Sequence, residues 1–237
     1  MRQTAKLSVK QFDCTVRAAL KPLANDNRAA AMRAYMRDRF AYLGVGAPER
    51  RAAVMPLLRA FKPPGTKELR EAVEVLWARA EREYQYVAAD LVASYQSVLS
   101  LDDLSWLLDL AQRKSWWDSV DTLVKPVGGI VRLSGAKGAR AMNRAVKHEN
   151  FWVRRIAMLH QLGLREATDT ERLFRYAEFL ASEGEFFVRK AVGWALRDYA
   201  WHDWRAVERF LETTPVQFSA LTVREASKNF ARLKNAR

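Results

Sequence analysis

The sequence is poor in cysteine and in long apolar runs, and each shortage excludes a class of protein. Cys14 is the only cysteine among 237 residues, which excludes an internal disulfide and a thiolate zinc site and fits a reducing, intracellular compartment. No run approaches the roughly 18 apolar residues of a membrane-spanning helix, and the N-terminus lacks the continuous apolar core of a signal peptide. We therefore expect a soluble protein of the cytoplasm.

Acidic residues are also scarce relative to basic ones, with 27 against 40 and a formal net charge of +13. Such an excess favours a polyanionic partner, with nucleic acid ahead of an anionic membrane. Scattered surface charge would give the same total, so the arrangement of the basic residues has to decide. Hydrophobic residues make up 49% of the chain, which is typical of a globular protein and not of a disordered one.

Signals for β-strands are missing as well. No alternating, β-branched run occurs, whereas Ala, Leu, Arg and Glu dominate and apolar residues recur three and four positions apart. The pattern predicts helices between short breaks, one of them over residues 66–79. Because the composition does not shift along the chain, we expect one all-helical domain over 1–237, with disordered tails at 1–10 and 232–237.

One segment of the chain recurs with a fixed period. FWVRRIAML (151–159) aligns without a gap with FFVRKAVGW (186–194) and LTVREASKN (221–229), so Val153, Val188 and Val223 are each 35 residues apart. SWWDSVDTL (115–123) fits one period earlier, and EREYQYVAADL (81–91) fits about 33 residues before that. A period of this length, with a helix pair in each unit, indicates a HEAT-like solenoid of about six helix pairs.

The repeat register places Trp117, Asp121, Arg155 and Trp194 at positions that share one face of a helix. If neighbouring repeats stack, these four side chains converge on one strip. The tryptophans alone would suit a packed core between layers. Asp121 and Arg155 argue against that reading, since charges are rarely buried unpaired, although an ion pair inside the core would satisfy both.

Basic residues recur in the same register. Arg154, Arg189 and Arg224 are each 35 residues apart, and Lys190 and Lys228 lie near them. Such a ladder can follow a phosphate backbone, each contact adding salt-dependent affinity that is independent of base sequence. A solvated helix face is the alternative. Together with the net charge, the spacing leads us to expect a concave, basic DNA-binding face.

Six segments in the same order and spacing resemble the AlkD-like DNA alkylation-repair glycosylases, a family built of HEAT-like repeats. They are AYMRDRFAYLGVGAPERR (34–51), EREYQYVAADL (81–91), KSWWDSVD (114–121), NFWVRRIAMLHQL (150–162), EFFVRKAVGWALRDYA (185–200) and LTVREASKNF (221–230). The resemblance spans about residues 30–230. It implies excision of positively charged N3- and N7-alkylated purines from duplex DNA by hydrolysis of the N-glycosidic bond, with the lesion read while still stacked.

The resemblance also implies roles for individual residues. Trp117 and Asp121 of WWDSVD, Arg155 after WVR and Trp194 of AVGW correspond to catalytic positions, and Tyr35 of AYMRDRF to a position near the lesion. Asp121 would stabilise the oxocarbenium-like sugar and orient water. The tryptophans would attract the cationic base, and Arg155 would hold a backbone phosphate.

We expect the lesion and its DNA to contact a wider set of residues: Tyr35, Lys114, Trp152, Arg154, Arg189, Lys190, Arg224 and Lys228. No metal or organic cofactor is expected, because the three histidines, of which His160 looks like a core residue, show no ligand spacing. The expected protein is a monomer that binds double-stranded DNA containing alkylated purines, at the nucleoid. A non-catalytic HEAT-like nucleic-acid-binding or scaffold protein with the same basic face remains the alternative.

Overall fold

The computed structural model describes residues 7–63 and 65–235. In these residues the structure is helical, and the only strand-like feature is an isolated bridge between Ala41 and Glu81, so the predicted all-α class is confirmed. None of the helices in the described ranges is long and apolar enough to cross a membrane. The chain divides into two compact units, the first ending at Leu99 and the second beginning at Ser100.

The first unit has a core of helices with apolar faces. Its α-helices are α1 (Val9–Leu20), α2 (Asp26–Tyr35), α3 (Ala47–Phe61), α4 (Thr66–Trp77) and α5 (Arg82–Ser94). Helix α1 packs on α3 and α4, and the rings of Phe12 and Phe61 stack with centroids 4.3 Å apart. The helix predicted over 66–79 begins at Thr66 as expected and ends two residues early, at Trp77.

The second unit contains the repeated segments. Its α-helices are α6 (Leu104–Leu110), α7 (Trp117–Leu133), α8 (Gly135–Ala145), α9 (Phe151–Leu159), α10 (Thr170–Phe179), α11 (Phe186–Thr213), α12 (Ala220–Ser227) and α13 (Phe230–Asn235). Helix α11 is broken at Asp203, where the backbone is extended with φ −137° and ψ 85°.

The repeated helices α7, α9, α11 and α12 pack side by side in one row, while α8 lies against α7 and α9, and α10 against α9 and α11. The register predicted from the sequence places Val153 and Val188 correctly, since both are fully buried. The register also holds in the last repeat, where Thr222 and Ala226 take the places of Trp152 and Ile156 of α9 and are buried like them. Val223 is 40% exposed there, whereas Thr222 and Ala226 face α11.

Two glycines let neighbouring helices of this row approach backbone to backbone. A methyl group at Gly128 of α7 would lie 2.2 Å from the carbonyl oxygen of His160, which follows α9. A methyl group at Gly193 of α11 would lie 2.8 Å from the carbonyl oxygen of Thr222 on α12. Both distances are shorter than any ordinary van der Waals contact, so only glycine fits without a shift of the helices.

The predicted disordered tails overlap the described residues only in part. Residues 9–10 belong to α1 and residues 232–235 to α13, so these positions are helical instead. Residues 1–6 and 236–237 lie outside the described part of the chain.

Candidate active site

The centre of the candidate site is an ion pair between Asp121 on α7 and Arg155 on α9. Nε of Arg155 donates to Oδ1 of Asp121 at 2.7 Å, and Nη2 donates to Oδ2 at 2.7 Å. Two parallel, charge-assisted hydrogen bonds of this kind fix both partners in one geometry. The side chain of Arg155 is 4% exposed and that of Asp121 is 20% exposed. The carboxylate is therefore held from its buried side and remains open to solvent on the other.

A third helix, α11, also contacts the guanidinium of Arg155. Nη1 of Arg155 donates to the backbone carbonyl of Phe187 on α11 at 2.6 Å. The guanidinium carbon lies 6.0 Å from the ring centre of Phe187 and 5.8 Å from that of the half-buried Trp194. Of the four residues predicted to converge, Asp121, Arg155 and Trp194 meet at this guanidinium from three successive repeats.

The predicted phosphate contact of Arg155 does not agree with this arrangement. Both ends of its planar guanidinium are occupied by Asp121 and by the Phe187 carbonyl, and the side chain is almost wholly buried. Helical spacing predicts which face of α9 carries Arg155, but it does not predict how deeply the side chain is buried. The geometry makes Arg155 a residue that orients Asp121.

Aromatic rings pack beneath the ion pair at the beginnings of α7, α9 and α11. The ring of Trp116 lies 6.0 Å from that of Trp152 and 5.0 Å from that of Phe187, and Trp152 and Phe187 are 4.9 Å apart. Trp116 and Trp152 are buried. The prediction that Trp152 contacts DNA is therefore wrong, because its ring forms part of this packed cluster. Trp117, the first residue of α7, is half-buried.

The predicted ladder of arginines is only partly at the surface. Arg154 donates to the carboxylate of Glu183 at 2.8 Å and to the backbone carbonyls of His148 and Glu149 at 2.8 and 2.7 Å. It therefore holds the segment before α9, which accounts for its low exposure. Arg189 is half-buried, with its Nε enclosed by protein. The repeat spacing is real, but these two side chains do not extend freely from the surface.

The exposed members of the predicted basic set are Lys190 on α11, Arg224 on α12 and Lys228 directly after α12. Glu225 lies among them and accepts a hydrogen bond from Arg197. That bond, and next to it the positive charges of Arg197, Lys190 and Lys228, lower the pKa of Glu225. One negative charge thus offsets part of the positive potential at the C-terminal end of this row of helices.

The remaining predicted contacts, Lys114 and Tyr35, lie apart in the sequence. Lys114 precedes α7, is half-buried and has a left-handed backbone with φ 50°. Tyr35 ends α2 in the first unit and is 73% exposed. His160 is buried, with Nδ1 2.6 Å from the carbonyl oxygen of Ala157, and burial lowers its pKa to about 4. It is a core histidine, as predicted.

No group of three or more His, Cys, Asp and Glu side chains that could hold a metal ion occurs in the described ranges. The contact of Phe187 with Arg155 could not be predicted from the sequence. Its aromatic ring follows the repeat pattern, but its contribution to the ion pair is a backbone carbonyl, which leaves no mark on the sequence. Only the burial of Arg155 makes that acceptor necessary.

Comparisons with known proteins agree with the helical architecture. The family model described as DNA alkylation repair enzyme matches residues 16–230. A predicted DNA alkylation repair enzyme from Enterococcus faecalis, of known structure, is 34% identical, with 88% of this chain and 97% of that one covered and a TM-score of 0.78. AlkD2 from Streptococcus mutans has a similar fold, with 18% identity, 72% of this chain and 85% of that one covered, and a TM-score of 0.57. These similarities confirm the predicted helical-repeat fold.

Among proteins with curated descriptions, none is significantly similar to this chain. The family match covers most of the sequence, and it includes every residue that meets at the guanidinium of Arg155. The chain belongs to the DNA alkylation repair enzyme family.

Proposed function

We propose that this protein is a monofunctional DNA glycosylase that removes positively charged N3- and N7-alkylated purines from duplex DNA in base excision repair. The observation that supports it most directly is the Asp121 carboxylate, held bidentately by a buried arginine and partly open to solvent. A protein that only bound DNA would gain nothing from an acidic group presented in this way to a polyanion, since like charges repel.

The chemistry needs little from the enzyme at the departing base. A purine such as 3-methyladenine carries a positive charge and leaves as a neutral molecule, so a general acid is not required. As the N-glycosidic bond breaks, the deoxyribose becomes oxocarbenium-like. A fixed carboxylate stabilises that developing positive charge without having to reorganise during the reaction.

Asp121 retains capacity for this role. A carboxylate has about four lone-pair sites, and Arg155 occupies one on each oxygen. The remaining sites can face the sugar and accept a hydrogen bond from the attacking water. Arg155 prevents the carboxylate from rotating, so that its position relative to a bound sugar is set before the substrate arrives.

Trp117 and Trp194 would flank the cationic nucleoside. Both rings are half-buried, so each keeps some surface open to solvent. An aromatic face next to a cation stabilises it by about 0.5–2 kcal/mol. Such attraction favours the alkylated purine over its neutral parent, because the neutral base has no charge to attract.

Exposed basic side chains would bind the DNA backbone, with Lys190, Arg224 and Lys228 as the exposed candidates. We propose that the lesion is read while still stacked, in the cytoplasm and at the nucleoid. A 2-aminopurine placed beside the lesion checks this. Its fluorescence should rise little on binding, and a strong increase would indicate base flipping.

The decisive experiment measures base release from methylated duplex DNA by chromatography. We expect 3-methyladenine or 7-methylguanine to be released by the native protein and not by Asp121→Asn, which keeps the shape of the side chain and removes its charge. Asp118→Asn, on the same turn of α7, is the matched control and should retain activity. DNA binding without any base release by the native protein would contradict the proposal and favour a non-catalytic DNA-binding protein.

A further inference from the structure

A groove in the second unit lies outside the candidate active site. It has a volume of about 500 Å³ and runs between the segment that contains α6 and the whole length of α8. Leu101, Leu104 and Leu108 line one wall, at helical spacing, and Ala141 and Ala145 line the other. None of these residues belongs to the ion pair or to the predicted DNA contacts. A groove of this size is within the range of protein ligand sites, roughly 300–1,000 Å³.

The rim of the groove is basic. Lys137, Arg144 and His148 lie on the α8 side, and Lys137 and Arg144 are exposed. Arg140 lies between Lys137 and Arg144 on α8 and is exposed too. Among the described lining residues Asp102 is the only acidic one.

The segment that contains α8 has an unusual charge distribution. No acidic residue occurs between positions 122 and 148, whereas six basic residues do. The long stretch without a negative charge means that the positive potential of the rim is not neutralised from within its own segment. A partner for this surface should therefore be negatively charged.

The interior of the groove distinguishes between acidic partners. Its lining is largely aliphatic, with half-buried Leu101 and Leu108 and buried Leu104 and Val153. No Phe, Tyr or Trp ring occurs among the described lining residues, so nucleic-acid bases have no large aromatic surface to stack on. Aliphatic side chains from a peptide would fit, and two helical walls with apolar residues at i, i+3 and i+4 are typical of grooves that receive an amphipathic segment.

We propose that this groove binds an acidic peptide segment of a partner protein, with leucine-like side chains in the groove and carboxylates against Lys137 and Arg144. The site is separate from the proposed glycosylase activity. It would allow the protein to be held by another protein while the row of helices that contains Asp121 engages DNA.

Fluorescence anisotropy with synthetic peptides tests this proposal. The probes are fluorescein-labelled acidic peptides with leucines at varied helical spacings, a series with serine in place of leucine, and a series with lysine in place of the acids. At least one acidic leucine peptide should bind, at least about tenfold more tightly than its serine and lysine counterparts. Binding should weaken as salt increases. If no peptide of the acidic leucine series binds, the proposal is wrong.

Two kinds of variant locate the site. The double change Lys137→Glu and Arg144→Glu should weaken peptide binding about tenfold or more, because attraction becomes repulsion at two positions. Ala141→Trp should block the groove and abolish binding. Arg132→Glu, a change of the same charge at an exposed position outside the groove, is the matched control and should bind like the native protein.

The same double variant separates this proposal from other acidic partners. Its release of alkylated bases and its affinity for unmodified duplex DNA should equal those of the native protein. If DNA affinity or binding to phosphatidylserine vesicles falls while peptide binding is unchanged, the surface recognises phosphate and the proposal is overturned. Peptide binding is measured without DNA, so a lack of glycosylase activity would leave its outcome intact.

Discussion

Replacing Arg155 with lysine would distinguish an orienting role for this residue from a phosphate contact. Lysine keeps the positive charge and most of the length, but its ammonium cannot form two parallel hydrogen bonds to a carboxylate. Arg155 makes three charge-assisted or strong contacts, two to Asp121 and one to the Phe187 carbonyl. In Arg155→Lys we expect one or two of these to be lost.

The expected cost follows from these contacts. A hydrogen bond to a charged group is worth about 1.5–3 kcal/mol, and breaking a fully buried ion pair costs roughly 3–5 kcal/mol. Asp121 is 20% exposed and can recover some hydration, so Arg155→Lys should destabilise the protein by about 2–4 kcal/mol. For a chain of this length the Tm should fall by roughly 5–15 °C. The loosened carboxylate should slow base excision by about 10²-fold.

Single-turnover base release, with enzyme in excess and well below the Tm of the variant, measures the chemical step. DNA affinity is measured separately over a range of salt concentrations. We expect a lower rate with the affinity and its salt dependence nearly unchanged. Arg197→Lys breaks a comparable ion pair, with Glu225 on α12, and is the matched control: it should lower the Tm without lowering the rate.

The opposite result would refute the reasoning. If Arg155→Lys releases bases at the native rate, with the same DNA affinity and salt slope, a single positive charge is sufficient at this position, as it would be for a phosphate contact, and the two parallel hydrogen bonds to Asp121 are not needed for excision.

Three further predictions rest on other parts of the second unit. Arg224→Ala should reduce the slope of log affinity against log salt by about one unit, whereas Arg154→Ala should chiefly lower the Tm; equal slopes for both variants would contradict this difference. Gly193→Ala should lower the free energy of unfolding by about 1–3 kcal/mol, the cost of overpacking, because the new methyl would lie 2.6 Å from Cβ of Glu225. The Tm should fall accordingly, and an unchanged Tm would mean that α12 moves away freely. Burial lowers the pKa of His160 from 6.5 to about 4, so the unfolded chain takes up a proton first and the free energy of unfolding should decrease by roughly 3 kcal/mol as pH falls from about 6.5 to about 4. Urea unfolding of His160→Gln should depend less on pH in that window, and an identical dependence would rule out this histidine as the cause.

Helical periodicity alone was enough to bring Asp121, Arg155 and Trp194 together. Equivalent positions of stacked repeats face the same way, so a 35-residue period carries information about contacts between residues far apart in sequence. The register also holds in α12, where Thr222 and Ala226 are buried like Trp152 and Ile156 of α9. Exposure does not follow from the register, since Val223 is 40% exposed although Val153 and Val188 are buried.

The burial of the arginines and their hydrogen-bond partners could not be predicted from the sequence. Arg154 and Arg155 are adjacent, and either could extend to a phosphate on spacing alone. The structure gives Arg154 an acidic partner from the segment after α10, Glu183, and gives Arg155 a backbone carbonyl from α11. Neither acceptor follows a periodic pattern, and both decide whether the arginine is available to DNA.

The close approach at Gly128 has a consequence for which substitutions this chain can accept. The spacing of α7 and α9 is limited there by contact between main-chain atoms, which are the same whatever side chains surround them. Substitutions in the core between these helices can change how stable the protein is without changing how far Asp121 stands from Arg155. The geometry of the ion pair should therefore tolerate most substitutions in the surrounding core. A substitution of Gly128 itself is the change that should push α7 and α9 apart.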